Sequence, residues 1–594
     1  MNRLHYFFTH MEEKDARTYR PMYDGDIAYY VDGKIAPEHD NDPTYWHNDN
    51  EISFTFELTH KLAPDKPSVT IAIPAEKLGI ERYTPAAADF ALRSLKKHIN
   101  ELNAPLSSRR PAYETGRYYA YEPGGEVLVR NAAYFAECEG KSYLGPKGIM
   151  AQFLTGEDAP RPRMCLCLLL QVQLPRGKLK RAEAMLVRDL PNMIDKYLAW
   201  FDVYALGRAL ALEEKQGAIR AWLKSGGCSA FIANGSILAR EGDTDLPMKG
   251  AVPFISPPGD EIEVAGVRGM GWRQGVSVIT GGGYSGKSTL LDALAAGIYD
   301  HIEGDGRELC VTDDSAVTIA AEDGRCVTGV NISPFLQWLP GGDPKRFSTS
   351  RASGSTSQAA NIMEAADCGA KLLLIDEDRS ATNFMIRDAL MRRLIEKEPL
   401  TPFTDRAGEL FAALGVSSTL VIGGSGEYLS VADRVYMMDE FTLRDVTDRA
   451  RELSSPRAAD SFPAPADWDN RRALRREGFS PIPRGGSGER LEVTDSGFVI
   501  IGDEFIDTRA LGDLASPAQI DALAFMLLWL ERRGLPKNGD RSPDLDKLYA
   551  QINRDGLESV YTNFFTTCNR FLALPRRFEL TAAVSRMRGA PPPA

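Results

Sequence analysis

An α/β fold with a mixed, largely parallel sheet is predicted for the middle of this chain, flanked by α+β regions on either side. Three observations lead there. The apolar run VSVIT opens onto the glycine-rich GGGYSGKST and then onto STLLDALAAGI, so a strand, a loop and a helix follow one another. A second apolar run, KLLLIDED, ends in acids as a buried strand reaching a sheet edge does. From about residue 261 to 450 such strands alternate with helical patterns, the rhythm of crossover connections between parallel strands.

The chain has 594 residues, too many for one hydrophobic core, so several domains are expected. Residues 1–110 form an N-terminal α+β region, with strands ISFTFEL and SVTIAIP before the helical AAADFALRSLKKHINEL. Residues 111–245 form a second α+β region, with strands GRYYAY, EVLVR and LCLLLQVQL and helices over 190–208 and 211–223. The nucleotide-binding core follows over 246–453, after the turn-rich EGDTDLPMKGAVPFISPPGD. A linker over 454–475 leads to a C-terminal α+β domain, 476–594, with strands RLEVT and GFVIIGD. Within the core, Asp323-Gly324 lies between VTIAAE and CVTGV and predicts a hairpin with Glu322, Asp323 and Arg325 at a solvated tip.

Composition excludes several classes. With 43% hydrophobic and 26% charged residues the sequence is that of an ordinary globular protein, and a net charge of -12 argues against a generally basic nucleic-acid coat. The eight cysteines lack zinc spacing, and Cys165 and Cys167 sit in an apolar run. No apolar stretch reaches the length of a membrane helix and the N-terminus lacks a signal-peptide pattern, so no membrane insertion and a cytoplasmic location are expected.

GGGYSGKS fits GxxxxGK[ST] between a strand and a helix. Gly281, Gly282, Gly283, Tyr284, Ser285, Gly286, Lys287, Ser288 and Thr289 are therefore the expected nucleotide-binding residues. Their backbone N–H groups converge on phosphate, Lys287 reaches the β and γ phosphates of ATP, and Ser288 is a ligand for Mg²⁺. At the end of KLLLIDED, Asp376 suits Mg²⁺ and Glu377 suits a general base acting on water. Lys287 and Glu377 are the expected catalytic pair.

Between these motifs, ASGSTSQAANI resembles the signature that caps a helix in ABC ATPases, and Ser353 precedes Asp376 by 23 residues, a spacing similar to theirs. SATN, with Ser380 and Asn383, falls where an ABC D-loop belongs. GGGYSGKSTLL, GDGRE, AEDGR, LLIDED, SATNFMIRD, VIGGSGEY and PRRFELTAAVSRMR resemble more closely the predicted ATPases of the ABC class, a soluble and mainly bacterial family with members linked to RNA. The resemblance implies an ABC-type P-loop core, and a signature (Ser353, Gly354, Ser355) that acts in trans on ATP held by a second subunit. One P-loop and one signature then require a homodimer. Transport-type members keep a switch histidine about nine residues before an ADRV-like segment; counting back from Ala432 gives Gly423, and all seven histidines lie at or before His301. Glu377 is left to act alone or with Ser425 or a water, and hydrolysis is expected to be slow. Phe254 suits either adenine stacking or core packing, and Gln337 is the one glutamine near the expected Q-loop.

The expected activity is hydrolysis of Mg-ATP at composite sites of a head-to-tail homodimer, driving a conformational change on RNA. Arg471, Arg472, Arg475, Arg476, Arg576, Arg577, Arg586 and Arg588 are candidate phosphate contacts. The alternatives are a small-molecule kinase and the energy subunit of a transporter.

Overall fold

The computed structural model describes residues 52–57, 66–104, 111–138, 163–242, 244–340, 342–387, 397–454, 463–469, 491–495, 497–502, 504–533, 542–561 and 570–587, with short pieces at 30–31, 34–35, 44–47 and 394–395. Two compact units divide the chain: residues 1–123, 127–211 and 550–574 in one, and 124–126, 212–549 and 575–594 in the other. This grouping by contact runs across the five segments read along the sequence.

The first unit is built on an antiparallel sheet of β1 (Thr44–His47), β2 (Ser53–Glu57), β3 (Ser68–Pro74), β4 (Arg117–Ala120), β5 (Ala133–Cys138) and β6 (Arg163–Gln173). The strand order is β1-β2-β3-β6-β4, with β5 also on β6. All seven residues of β3 are buried, as their apolar and β-branched composition requires of a central strand. Helix α1 (Pro85–Asn103) starts where the Thr84 hydroxyl accepts from Ala87 N, with Pro85 in the first turn, and buries Ala87, Ala91, Leu92, Leu95 and Ile99. Edge strand β4 exposes Arg117 and Tyr119 and buries Tyr118, the period of two of a half-covered strand.

The helix expected over 190–208 is interrupted. Helix α2 (Leu190–Ala199) stops before Asp202, whose carboxylate accepts from Ala205 N and starts helix α3 (Val203–Gly226). Apolar periodicity continues through this junction, so only the capping carboxylate marks it.

In the second unit, which holds α3 from Leu212 onward, β7 (Cys228–Ala233), β8 (Glu261–Val264) and β9 (Val267–Arg273) lead to β10 (Val276–Gly281) and helix α4 (Lys287–Ala296). Strands β11 (Cys310–Thr312) and β12 (Val317–Ile319) precede helix α5 (Gly354–Asp367), β13 (Leu372–Asp376), helix α6 (Phe403–Leu414), β14 (Ser417–Val421), β15 (Arg434–Asp439) and β16 (Thr442–Asp445). The antiparallel sheet runs β8-β9-β7-β11 and the main sheet β12-β13-β14-β10-β15-β16. Every neighbouring pair of the main sheet is parallel except β15 and β16. The expected mixed, largely parallel α/β core is what forms, and the buried runs VSVI and LLLID supply its middle. An antiparallel meander, β17 (Leu491–Val493), β18 (Phe498–Ile501) and β19 (Glu504–Asp507), is followed by helices α7 (Pro517–Arg533) and α8 (Arg577–Arg586).

The expected Asp323-Gly324 hairpin does not form. Strand β12 pairs in parallel with β13, while the strand Val327–Val330 pairs with Phe347–Thr349. Gly324 turns the chain at φ +85° and Asp323 is exposed, as expected of a tip, but Arg325 beside it is buried and the Glu322 side chain is only 10% exposed. The Arg325 guanidinium bonds Asn361 and both oxygens of Glu364 (2.8 Å each), and Arg586 of α8 bonds Glu322, its Nε reaching Oε2 at 2.9 Å. Asn361 donates to Glu322 Oε1 at 2.8 Å, closing the network. Charges leave water here because each finds an opposite partner.

Candidate functional site

Strand β10 delivers the glycine loop to the end of the main sheet. Gly281 has φ +142°, and a Cβ there would lie 2.4 Å from the Met438 carbonyl oxygen, so the close approach of β15 requires glycine. Tyr284 holds a left-handed conformation at φ +59° with its side chain fully exposed. Gly286, at φ +99°, turns the chain into α4, whose first residue is Lys287. The buried Ser285 hydroxyl donates to Gly282 O at 2.9 Å and tightens the loop. Lys287 Nζ donates to Gly281 O at 2.8 Å and Gly282 O at 2.7 Å, folding over the loop it belongs to. Thr289 follows in the first turn of α4.

Parallel pairing brings the acidic strand end to this loop. Ser288 Oγ donates to Asp376 Oδ2 at 3.4 Å across 88 residues of sequence, and Asp376 Oδ1 accepts from Asp378 N at 3.1 Å, fixing the carboxylate. One hydroxyl and one carboxylate so placed fit Mg²⁺, which takes few protein ligands and completes its shell with phosphate oxygens and water. Near the loop, Asp292 has its carboxyl raised above the usual range by burial, with the Asp376 charge adding to it.

Glu377 follows directly on β13. Its Oε2 accepts from Gly423 N at 2.6 Å and Gly424 N at 3.1 Å, in the loop that leaves β14. Gly423 is the position reached by counting back to where transport-type members keep a histidine, and main-chain amides meet the carboxylate there. The Ser425 hydroxyl instead accepts from Glu427 N at 3.2 Å, within its own turn.

Ser353 starts α5, its hydroxyl accepting from Thr356 N at 3.4 Å, and Gly354 and Ser355 occupy the first turn. Ser353 is exposed, and Gly354 and Ser355 are half-buried. Gln358, fully buried in the same helix, donates to Ser380 Oγ at 3.0 Å and accepts from Ala381 N at 2.9 Å. Ser380 donates in turn to Asp376 O at 2.7 Å, so one chain of hydrogen bonds ties α5 to the acidic strand end. Asn383 is exposed in the next short helix.

Other expected residues lie elsewhere. Phe254 is 7% exposed among Met270, Trp272 and Tyr436, which takes the core-packing alternative and corrects the adenine-stacking one. Gln337 is exposed and donates to Thr401 Oγ1 at 3.5 Å. Two arginines expected at phosphate are internal. Arg576 donates to Asp314 O, Ala316 O and Glu579, and Arg586 to Glu322, so both are engaged within the fold. Arg577 is half-exposed and pairs with Asp546 at 2.7 Å, while Arg471, Arg472, Arg475, Arg476 and Arg588 lie outside the described residues. Gln358 and Gly424 carry no signal in the sequence, and Gly423 is marked there only as a place without a histidine, because their roles depend on which strand ends are neighbours.

Residues 202–469 match the ABC_ATPase P-loop domain family, and residues 490–591 match the MRB1590 C-terminal domain. Residues 202–469 are therefore similar to the P-loop domain of the ABC-class ATPases. A relative, the uncharacterized protein MJ1628 of Methanocaldococcus jannaschii, is 31% identical over 288 residues, 45% of this chain and 63% of its own length. The match thus spans less than two thirds of that relative. Among solved structures, cbiO1 of Clostridium perfringens, part of the ABC transporter complex cbiONQ, has 14% identity over 36% of this chain and 87% of its own, with a TM-score of 0.23. The ADP conformation of MJ1267, an ATP-binding cassette of an ABC transporter, has 14% identity over 38% and 94%, with a TM-score of 0.24. No helix among the described residues is long and apolar enough to cross a membrane.

Proposed function

We propose that this protein binds and hydrolyses Mg-ATP at composite sites of a head-to-tail homodimer and uses the closure of those sites to move an RNA in the cytoplasm. The observation that carries the ATPase reading is the 3.4 Å approach of Ser288 to Asp376, with Glu377 one residue further on. A glycine turn by itself accounts for the loop but not for a lysine, a hydroxyl and two acids meeting at one sheet end. Lys287 exchanges its loop carbonyls for the β and γ phosphates, and Ser288 and Asp376 hold Mg²⁺, which neutralises phosphate charge. Glu377 takes a proton from the attacking water.

Two features favour water over a metabolite as acceptor. Glu377 is fixed by main-chain amides at the strand end, and the signature helix is tied by Gln358 to the D-loop, which couples closure to the acids. A kinase needs a second substrate pocket beside the γ phosphate instead. The composite site is supported by the exposed cap residue Ser353 and the half-buried first turn of α5, whose N–H groups suit a phosphate supplied by another subunit.

For the RNA, the first unit offers exposed aromatic and basic groups. The Arg117 guanidinium lies 5.8 Å from the centre of the Tyr119 ring, and that of Arg176 lies 5.5 Å from the centre of Tyr113. Tyr113 is 46% and Tyr119 41% exposed, which suits base stacking beside phosphate contacts. The test is release of phosphate from labelled ATP with and without single-stranded RNA. Stimulation by RNA that is lost in Tyr119→Ala supports the full reading; a labelled metabolite in place of free phosphate sinks it.

A further inference from the structure

We propose that the main-chain N–H groups of Gly423 and Gly424 are the positioning device for Glu377, doing with two amides what an imidazole side chain does elsewhere; this rests on the reading of Glu377 as the base. Both amides converge on Oε2, at 2.6 and 3.1 Å, whereas Oε1 accepts none of the hydrogen bonds given by the described residues. The two oxygens thus have different tasks. Oε2 is the anchor that fixes the carboxylate plane, and Oε1 keeps its lone pairs for the proton of the attacking water. That proton passes to Oε1 as the water oxygen bonds to phosphorus and the bond from phosphorus to the leaving oxygen breaks; the anchor neither gains nor loses a proton.

The topology explains how the amides arrive. Strand β14 lies between β13 and β10 in the sheet, so the chain leaving β14 at Gly423 passes the chain leaving β13 at Glu377. Neither glycine needs its freedom for backbone conformation, because neither has a left-handed φ. A Cβ at Gly423 would meet Glu377 Oε2 at 3.9 Å, and one at Gly424 would meet Oε1 at 3.6 Å. A small side chain is tolerated, but a larger one crowds the oxygen that faces the water. An amide also cannot titrate near neutrality, so the anchor keeps its state where an imidazole changes charge.

The experiment uses the full chain. Gly423→Ala keeps the N–H and is the matched control for the change of side chain, against which the loss on deleting the N–H is read. Gly423→Pro deletes the N–H and is expected to lower kcat by about ten-fold or more, with ATP affinity unchanged, because the carboxylate loses the contact that orients it toward the water. Proline also restrains the backbone, so an ester linkage at the same position, with glycolic acid for Gly423, deletes the N–H alone and is expected to give the same loss. In the Glu377→Gln background the ester should have no further effect, since the anchor acts only through the base. Wild-type turnover in the ester protein, or an undiminished loss in the Glu377→Gln background, overturns the anchor while leaving the base reading intact. Wild-type turnover in Glu377→Gln overturns the base reading itself.

Discussion

A single lysine and a single carboxylate carry the reaction proposed here, and they are held differently. Lys287 rests on two carbonyls of its own loop, which hydrogen-bond it but do not neutralise its charge. Lys287→Ala should weaken ATP binding by about ten- to a hundred-fold, the range expected for losing a charge-assisted contact to phosphate. Calorimetry checks this, and unchanged affinity defeats the P-loop reading. Glu377→Gln keeps the shape and the acceptor for the Gly423 and Gly424 amides but loses the base, so ATP affinity should hold while turnover falls by about a hundred-fold or more. Retained turnover points to another residue as the base. The residues of this site were legible wherever one short motif carries its own chemistry, as in GGGYSGKST and IDE. Gln358 and Gly424 were not legible, and at Gly423 only the missing histidine was, since a glutamine on a helix and a glycine amide take their roles from the strand order.

Among the elements, the sequence revealed strands and helices better than it revealed what their charged ends touch. VTIAAEDGRCVTGV has every local mark of a hairpin, yet its two halves pair with other strands, because β13 offers β12 a parallel partner and the Phe347–Thr349 strand takes the second half. Arg325 and Glu322 are then packed against α5 and α8 while Asp323 stays exposed, and Arg325, expected at a solvated tip, and Arg586, expected at phosphate, become internal ties. Arg586→Ala should cost about 3–5 kcal/mol of stability, the range for breaking a buried pair and leaving one charge behind. Denaturant unfolding measures it; a loss under about 1 kcal/mol refutes the tie. The pH dependence is a second check. Burial pushes the Glu322 carboxyl up, but Arg586, Arg325 and Asn361 together outweigh it and hold it below its usual range. A carboxyl lowered by folding stabilises above its unfolded pKa and loses that contribution as pH falls through the folded one. Without Arg586 the burial effect is left less opposed, so the variant's deficit should shrink between pH 7 and pH 4. A deficit that grows toward pH 4 contradicts the assignment.

At the scale of the whole molecule, the composite site proposed here needs a second copy of the chain. Ser353 at the start of α5 is exposed, and Gln358 and Ser380 link that helix to the acids of its own subunit. In a head-to-tail pair, phosphate held by one subunit's Lys287 meets the other's Ser353, and that contact reaches the second subunit's acids through the same hydrogen bonds. Mg-ATP should therefore promote dimers, and Glu377→Gln should accumulate them by slowing the hydrolysis that reopens the site. Light scattering of Glu377→Gln with and without Mg-ATP reads this directly, and a strict monomer under both conditions defeats the composite site. Ser353→Asp should abolish the effect: aspartate still caps the helix, so the change isolates a negative charge set against the γ phosphate. A dimer that persists without nucleotide calls for complementation. Lys287→Ala and Ser353→Asp each disable both sites of their own homodimer. In a mixed dimer one site collects both defects, and the other pairs an intact loop with an intact signature. Random exchange of equal amounts makes half the dimers mixed, each with one good site, so about a quarter of wild-type ATPase activity should return. If loop and signature serve the same subunit, every site stays broken and mixing restores nothing.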